Sequence, residues 1–310
     1  GHAEDAEWER WWRGPEAADV TYVEFMGKDN VPFHTVGFPC TLIGSNERLA
    51  ADGTWQASNN APWKLVDRLK GFNWLDYYGG KFSTSQKRGV FMDHALELLP
   101  ADYWRWWLTA NTPETSDATF TWEQFQAQVN ADLADVLGNF VNRILKFTEA
   151  RFEGLVPDGG EAGDLELKLY ADVSAKLAEL TEFLEATEMR KACQALRQLW
   201  VLGNQYLTEA APWTAIKTDP ARAAVAVRTG LNLVTLFARV SEPFIPYAAE
   251  KIAGGVGQAY PGQWPSADGA TVLNSLPVGT KVQAPDVLFR KIEDTQVTEW
   301  VERFGGPEAA

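Results

Sequence analysis

Residues 21–34 read Thr21-Tyr22-Val23-Glu24-Phe25-Met26-Gly27-Lys28-Asp29-Asn30-Val31-Pro32-Phe33-His34. The first six are β-branched and aromatic and stop at a glycine, which predicts a strand. The run from Asn30 opens a predicted helix with Pro32 in its first turn, where a missing N–H costs nothing. Further on, Gly71-Phe72-Asn73-Trp74-Leu75-Asp76-Tyr77 reads as a second strand, followed by the turn Gly79-Gly80. Strand, helix, strand in this order predicts part of a parallel α/β sheet. Ligands in such sheets sit at the carboxyl ends of the strands. Gly27 there lets backbone approach a ligand, and Asp29 can accept hydrogen bonds from ribose hydroxyls. The helix start offers free N–H groups to negative charge. The same residues also read as an ordinary strand-to-helix turn in which Asp29 caps the helix. His34 alone reads more readily as a satisfied core histidine than as a ligand.

On the amino-terminal side, residues 1–20 are acidic and Trp-rich and predict a short helix. Gly1-His2 reads as the scar of a cleaved tag, so the chain is expected to be a piece of a longer protein. On the carboxyl-terminal side the character turns helical from Pro100. Thr121 is a predicted N-cap with Gln124 three residues on. Phe125, Val129, Leu133, Val136, Phe140, Ile144 and Phe147 then form one apolar stripe on a long helix. Gly159-Gly160 breaks the pattern. Further amphipathic helices are predicted over Leu165–Leu184, Met189–Glu209 and Ala221–Arg239, with a fifth starting at Ser241-Glu242-Pro243. Long helices joined by short loops make an α-bundle. The tail from Gly254 is rich in Gly and Pro and ends in a short helix, Thr298–Phe304. No internal repeat or low-complexity block is present.

Two more segments carry candidate chemistry. Gly79-Gly80-Lys81-Phe82-Ser83-Thr84-Ser85-Gln86-Lys87-Arg88-Gly89 combines glycines, hydroxyls and cations that can cradle phosphate oxygens and offset charge on a leaving group. Its spacing is not that of a Walker A loop, and a solvated basic loop has the same residues. On the long helix, Asn139 and Arg143 share one face. With Trp213 in Ala210-Ala211-Pro212-Trp213 they supply amide, guanidinium and stacking plane, the tools for reading unstacked bases. The plain alternative is a solvated helix flank and a packed tryptophan.

Composition sets the limits. The chain has 310 residues, 45% hydrophobic, which allows about two domains of ~150 residues and a sizeable core without disulfides. Cys40 and Cys193 stand alone and suit a reducing cytoplasm. The histidines are only His2, His34 and His94, which argues against a zinc site. Net charge is −14, from 28 basic and 42 acidic residues, and this argues against broad non-specific nucleic-acid binding while leaving room for local basic sites. No run nears the ~18 uninterrupted apolar residues of a membrane span, and no signal peptide is visible.

Taken in order, these segments resemble class I methionyl-tRNA synthetases from about residue 8 to residue 304. Met26-Gly27-Lys28-Asp29-Asn30-Val31-Pro32-Phe33-His34 is similar to the family segment near the end of its nucleotide-binding fold. Lys81-Phe82-Ser83-Thr84-Ser85 is similar to the mobile Lys-Met-Ser-Lys-Ser loop. Leu137-Gly138-Asn139-Phe140-Val141-Asn142-Arg143 and Ala211-Pro212-Trp213 are similar to its anticodon-reading elements. The resemblance implies an α/β plus all-α architecture: the second half of a Rossmann-type fold over 1–115, a helical anticodon-binding bundle over 116–265, and a tail over 266–310 packed back on the core.

It also implies a reaction. Methionine and ATP, the latter with Mg, give methionyl-adenylate and pyrophosphate, and the methionyl group passes to the 3′ end of tRNA(Met). Gly27 and Asp29 would hold the adenosine ribose, and Asn30 and His34 would flank methionine. Lys81, Ser83, Thr84 and Ser85 would close on the phosphates. Asn139, Arg143 and Trp213 would bind the CAU anticodon. Thr84 stands where the loop signature has its second lysine, so Lys87 or Arg88 is expected to compensate. The His-Ile-Gly-His signature and the zinc-knuckle cysteines are absent, so this segment is expected to bind no zinc and to be inactive without an amino-terminal catalytic half. It is otherwise expected to be a cytoplasmic monomer. The competing readings are a tRNA-binding module without catalysis and a helical scaffold.

Overall fold

The computed structural model describes residues 8–57 and 62–306, so Gly1 and His2 lie outside the described residues. The chain divides into two compact units, Gly1–Leu75 with Pro113–Ala118 and Asp76–Thr112 with Thr119–Ala310.

In the first unit the short helix predicted within residues 1–20 is α1 (Glu9–Trp12), ended by extended Arg13 ahead of left-handed Gly14, and residues 1–7 of that prediction lie outside the described residues. β1 (Val23–Gly27) stops at the predicted glycine. Helical backbone follows as a 3-10 turn at Lys28–Asn30, a π turn at Phe33–Gly37 and α2 (Phe38–Gly44), with Pro32 near its start. β2 (Glu47–Leu49) and β3 (Trp55–Ala57) form an antiparallel hairpin absent from the sequence reading. β4 (Arg68–Phe72) then returns parallel to β1, with Val23 opposite Arg68 and Gly27 opposite Phe72. The parallel pair is therefore present, but the second strand starts before Gly71 and does not run on to Tyr77. Asn73 N–H donates to Pro113 O at 2.8 Å and Trp74 N–H to Asp117 Oδ1 at 2.9 Å. With both donors captured, the ladder ends, and β5 (Leu75–Tyr77) takes a different partner, β6 (Ala118–Phe120).

In the second unit α3 (Met92–Leu98) lies ahead of the predicted helical region, and α4 (Ala101–Ala110) starts just after Pro100. α4 buries Tyr103, Trp104, Trp106 and Trp107. Trp104 stacks on Phe125 with ring centroids 4.5 Å apart, and Trp106 meets Trp200 at 4.7 Å. A buried indole needs an acceptor. Trp104 Nε1 donates to Ala95 O, Trp106 Nε1 to Asp132, and Trp122 Nε1 to the Tyr77 hydroxyl, while Trp107 Nε1 finds none among the described residues. This aromatic core joins residues 76–112 to the helices within the second unit.

α5 (Trp122–Val129) begins where predicted, with Gln124 N–H donating to Thr121 Oγ1 at 3.2 Å. It continues through a π segment, Asn130–Gly138, into α6 (Asn139–Arg151). Phe125, Val129, Leu133, Phe140 and Ile144 are fully buried as the stripe predicts, but Leu137 replaces Val136, and Phe147 is only half-buried. A π turn holds more residues than an α turn and so shifts the buried face by a position. α7 (Asp164–Glu185), α8 (Met189–Ala210) and α10 (Pro220–Ser241) match the predicted helices closely, and the short α9 (Pro212–Ala215) is an addition.

α11 (Pro246–Gly255) begins later than Ser241–Pro243, because Pro246 takes its first position and Asp102 Oδ2 accepts the Ala248 N–H at 2.7 Å. α12 (Gly269–Val272) precedes α13 (Asp294–Phe304), which starts ahead of Thr298 because Glu293 and Gln296 cap it reciprocally. Trp300 and Phe304 on α13 lie 4.9 and 5.8 Å from Trp122, seating the tail on the aromatic core. Among the described residues α10 alone is long and apolar enough to cross a membrane, and 89% of that stretch is buried within the bundle.

Candidate functional site

Gly27 closes β1 in extended backbone, φ −68° and ψ 149°, so strain does not demand a glycine there. Space does. A Cβ on Gly27 would lie 2.7 Å from Asp29 Oδ1, which folds back over the strand end. Asn30 Nδ2 donates to the same oxygen at 3.4 Å, and both side chains are exposed. The helical turn behind them has no side-chain cap, so the capping reading does not describe Asp29. Lys28 Nζ donates to Asn73 Oδ1 and Asp117 Oδ1, each at 3.2 Å, and lies 5.7 Å from the Trp74 ring. That lysine is tied into the fold, leaving Asp29 and Asn30 as the open groups.

His34 is neither buried core nor an isolated ligand. Its Nδ1 sits 2.9 Å from Oε2 of the buried Glu24, which also accepts the Tyr22 hydroxyl. Burial, then the Glu24 acceptor and its charge, push the Tyr22 hydroxyl up to about 12. A carboxylate partner fixes the proton on Nδ1 and leaves Nε2 as an acceptor. Tyr22 and Glu24 were not singled out from sequence. The signal was available, since residues two apart on a strand share a face and a glutamate inside an aromatic strand calls for a partner.

The loop after β5 turns through left-handed Tyr78 and Gly79, φ 48° and 71°. Residues 81–88 form a small hairpin in which Ser83 and Arg88 exchange backbone hydrogen bonds, both at 2.9 Å. Gly89 N–H donates to Phe304 O at 2.9 Å, anchoring the loop's base. The cations behave differently. Arg88 Nη2 donates to Tyr77 O at 2.8 Å and its guanidinium lies 5.8 Å from the Tyr77 ring centre, half-buried. Lys81, Thr84, Ser85 and Lys87 are exposed, and among the described residues neither lysine ammonium has a partner. Ser83 Oγ accepts Gln86 N–H at 3.3 Å and approaches Ser85 Oγ at the same distance.

On α6 the exposed residues Asn139, Asn142 and Arg143 share one face. Arg143 Cζ lies 4.3 Å from the centre of the Trp213 ring, a cation–π contact between residues far apart in sequence. Left-handed Ala211, φ 40°, ends α8, and Pro212 starts α9, which together set the ring's place. Phe147 meets the same ring edge-on at 6.3 Å and 89°. The result is a fixed aromatic plane with a guanidinium over it.

Gly27, Asp29, Asn30 and His34 thus gather on the first unit. Lys81, Ser83, Thr84, Ser85, Lys87 and Arg88 share one hairpin of the second, and Arg143 and Trp213 meet elsewhere on that unit. Among the described residues no group of three or more His, Cys, Asp or Glu side chains could hold a metal ion.

Residues 1–145 match the family model for class I tRNA synthetases (M), and residues 156–309 match the anticodon binding domain of methionyl tRNA ligase. A methionine–tRNA ligase of Caulobacter sp. strain K31 is 64% identical over 97% of this chain and 51% of its own length. That of Maricaulis maris is 55% identical over 98% of the chain and 51% of its own. The Mycobacterium tuberculosis methionyl-tRNA synthetase in complex with methionyl-adenylate superimposes with a TM-score of 0.75 at 25% identity, over 93% of this chain and 52% of that one. The chain belongs to the methionyl-tRNA synthetase family and spans about half the length of the curated relatives it matches.

Proposed function

We propose that the chain carries the phosphate loop and the anticodon-reading surface of a methionine–tRNA ligase. In the whole protein the methionine carboxylate attacks the α-phosphorus of ATP and pyrophosphate leaves. The methionyl group is then transferred to the 3′-terminal ribose of tRNA(Met). The nucleophile belongs to the substrate, so the protein's part is positioning and charge stabilisation. Gly27 leaves room for a ribose beside Asp29, while Asn30 and the Nε2 edge of His34 face the methionine. Mg enters with the triphosphate, whose charge it offsets. Lys81, Ser83, Thr84 and Ser85 meet the phosphates, and Lys87 replaces the charge that Thr84 lacks, since Arg88 is engaged with Tyr77.

We assign residues 1–115 to the second half of the nucleotide fold, 116–265 to the anticodon bundle and 266–310 to the tail. The parallel β1–β4 pair supports the first assignment. So do the exposed Phe33, Val36 and Ile43, an apolar surface that the first half of such a fold would cover.

The observation that carries this reading is the Arg143–Trp213 platform on the α6 face that also presents Asn139. In the full-length enzyme, W213A combined with R143A is expected to lower kcat/KM for tRNA charging by about 10–100-fold, given ~1–3 kcal/mol per stacked base. ATP–pyrophosphate exchange is expected to stay within about twofold. Equal loss of both activities, or of neither, overturns the reading. A pure tRNA-binding module is disfavoured by the unpartnered Lys81 and Lys87, for which a module without catalysis has no use.

A further inference from the structure

One cavity lies beside the residues already assigned and is not explained by them. It occupies about 170 Å³ between α6 and the tail, lined by Gly138, Asn139, Asn142, Asp286, Leu288 and Phe289 among others. That is below the ~300–1,000 Å³ of ordinary small-molecule sites, so it suits one flat ring rather than a whole nucleotide. Its floor is apolar, with Phe289 buried and Leu288 half-buried. Its rim is polar, and among the described residues the Asn139 and Asn142 amides have no hydrogen-bond partner. The rim residues belong to the α6 face that carries Arg143. Asn139 stands one helical turn, about 5.4 Å, from Arg143, whose guanidinium lies over the Trp213 ring.

We infer that this cavity is a base pocket, in which Asn139, Asn142 and Asp286 read an unpaired nucleobase bearing an exocyclic amine, next to the base stacked on Trp213. The inference rests on the anticodon-reading function proposed above and adds Asn142 and Asp286 to it. An amide offers donor and acceptor side by side, and two flanking one slot can pair with a base edge. The Asp286 carboxylate only accepts, so it favours an amino group, as on cytosine or adenine, over the keto group of uracil. Apolar Leu288 and Phe289 supply the contact surface that makes burying a ring favourable. The tail crosses α6 here because Ile292 is held by Asn130, with Ile292 N–H donating to Oδ1 at 2.8 Å and Nδ2 donating to Ile292 O at 2.9 Å.

The test uses the 310-residue chain and fluorescent anticodon stem-loop hairpins in which each loop base is replaced in turn, cytosine by uracil and adenine by purine. The unaltered chain is expected to discriminate at one amino-bearing loop position by about tenfold, the scale of a single base contact. In N142A, and separately in D286N, that preference is expected to fall to about twofold while the penalties at other positions persist. Both side chains are exposed, so melting temperatures should not move. If both variants keep the full preference, or weaken every hairpin alike, the cavity reads no base. Failure of the function itself would show differently, as an unaltered chain that discriminates among no hairpins, and it would remove the pocket as well.

Discussion

Lys87 and Arg88 are neighbours with opposite fates. Arg88 spends its guanidinium on the Tyr77 carbonyl and ring, whereas Lys87 sits at a left-handed corner, φ 50°, with its ammonium free among the described residues. Only a free cation can move onto a triphosphate. K87A in the full-length enzyme is therefore expected to slow ATP–pyrophosphate exchange by about 10²-fold, the usual size for one oxyanion donor. Adding T84K should restore most of it. R88A should instead lower the melting temperature together with activity. A silent K87A would return the role to Arg88. Gly27 makes a second residue-level case. The Asp29 carboxylate that G27A would strike is the far end of a flexible side chain, so stability should change by less than ~1 kcal/mol. The displaced Asp29 should nonetheless raise KM for ATP several-fold, and a melt beside a KM measurement separates the two effects.

Two buried carboxylates tie helices of the bundle together, and they respond to pH in opposite senses. Burial alone would raise the Glu166 carboxyl. The bidentate Arg222 at 2.7 Å, the Tyr206 hydroxyl and the Gly163 N–H outweigh it and hold the group below the usual range. Its stabilisation is present above the unfolded value and is lost as pH falls through the lower folded one. R222M strips the partner from a fully buried charge across α7 and α10 and should cost about 3–5 kcal/mol at neutral pH. Asp102 is the reverse. Burial raises its carboxyl despite the N–H groups of Ala248 and Tyr247, and among the described residues its Oδ1 has no hydrogen-bond partner. Its contribution is full below the unfolded value and declines as pH rises through the folded one. D102N keeps an acceptor for Ala248 and removes the charge. Urea melts should show D102N gaining on the unaltered chain as pH rises above the ordinary carboxylate range, and a difference that is flat with pH would sink this account.

The legible elements were those whose cause is local. α7, α8 and α10 follow from apolar period and caps within their own residues. The strand break at Asn73 and Trp74 was illegible because Pro113 and Asp117, distant in sequence, create it. The π segment was illegible because its extra residue changes the period from inside the helix. The same rule holds for the sites. The Lys81–Arg88 hairpin was readable as a string, while the Glu24–His34 pair and the Arg143–Trp213 contact required folding to meet.

Net charge frames the whole chain's dealings with RNA. At −14 the molecule repels a polyanion at long range, and several cations of the bundle are already paired with carboxylates. Lys146 pairs with Glu149, Lys176 with Glu179, Lys191 with Glu188, Lys291 with Asp135, and Arg197 with Asp132. Arg143 is held differently, over Trp213 by an aromatic face rather than a carboxylate. Affinity for an anticodon hairpin must then come from stacking and base edges, with little counterion release. Plotted as log K against log salt, binding should show a slope shallower than about −2, or fewer than ~3 phosphate contacts at ~0.7 each. R143A should flatten that slope by about 0.7, whereas W213A should lower affinity at every salt concentration and leave the slope unchanged, since an indole releases no ion. Anisotropy titrations between ~50 and ~300 mM salt separate the cases. A slope near −5 would mean an extended phosphate track, and the charge pairing described above would then be broken in the complex.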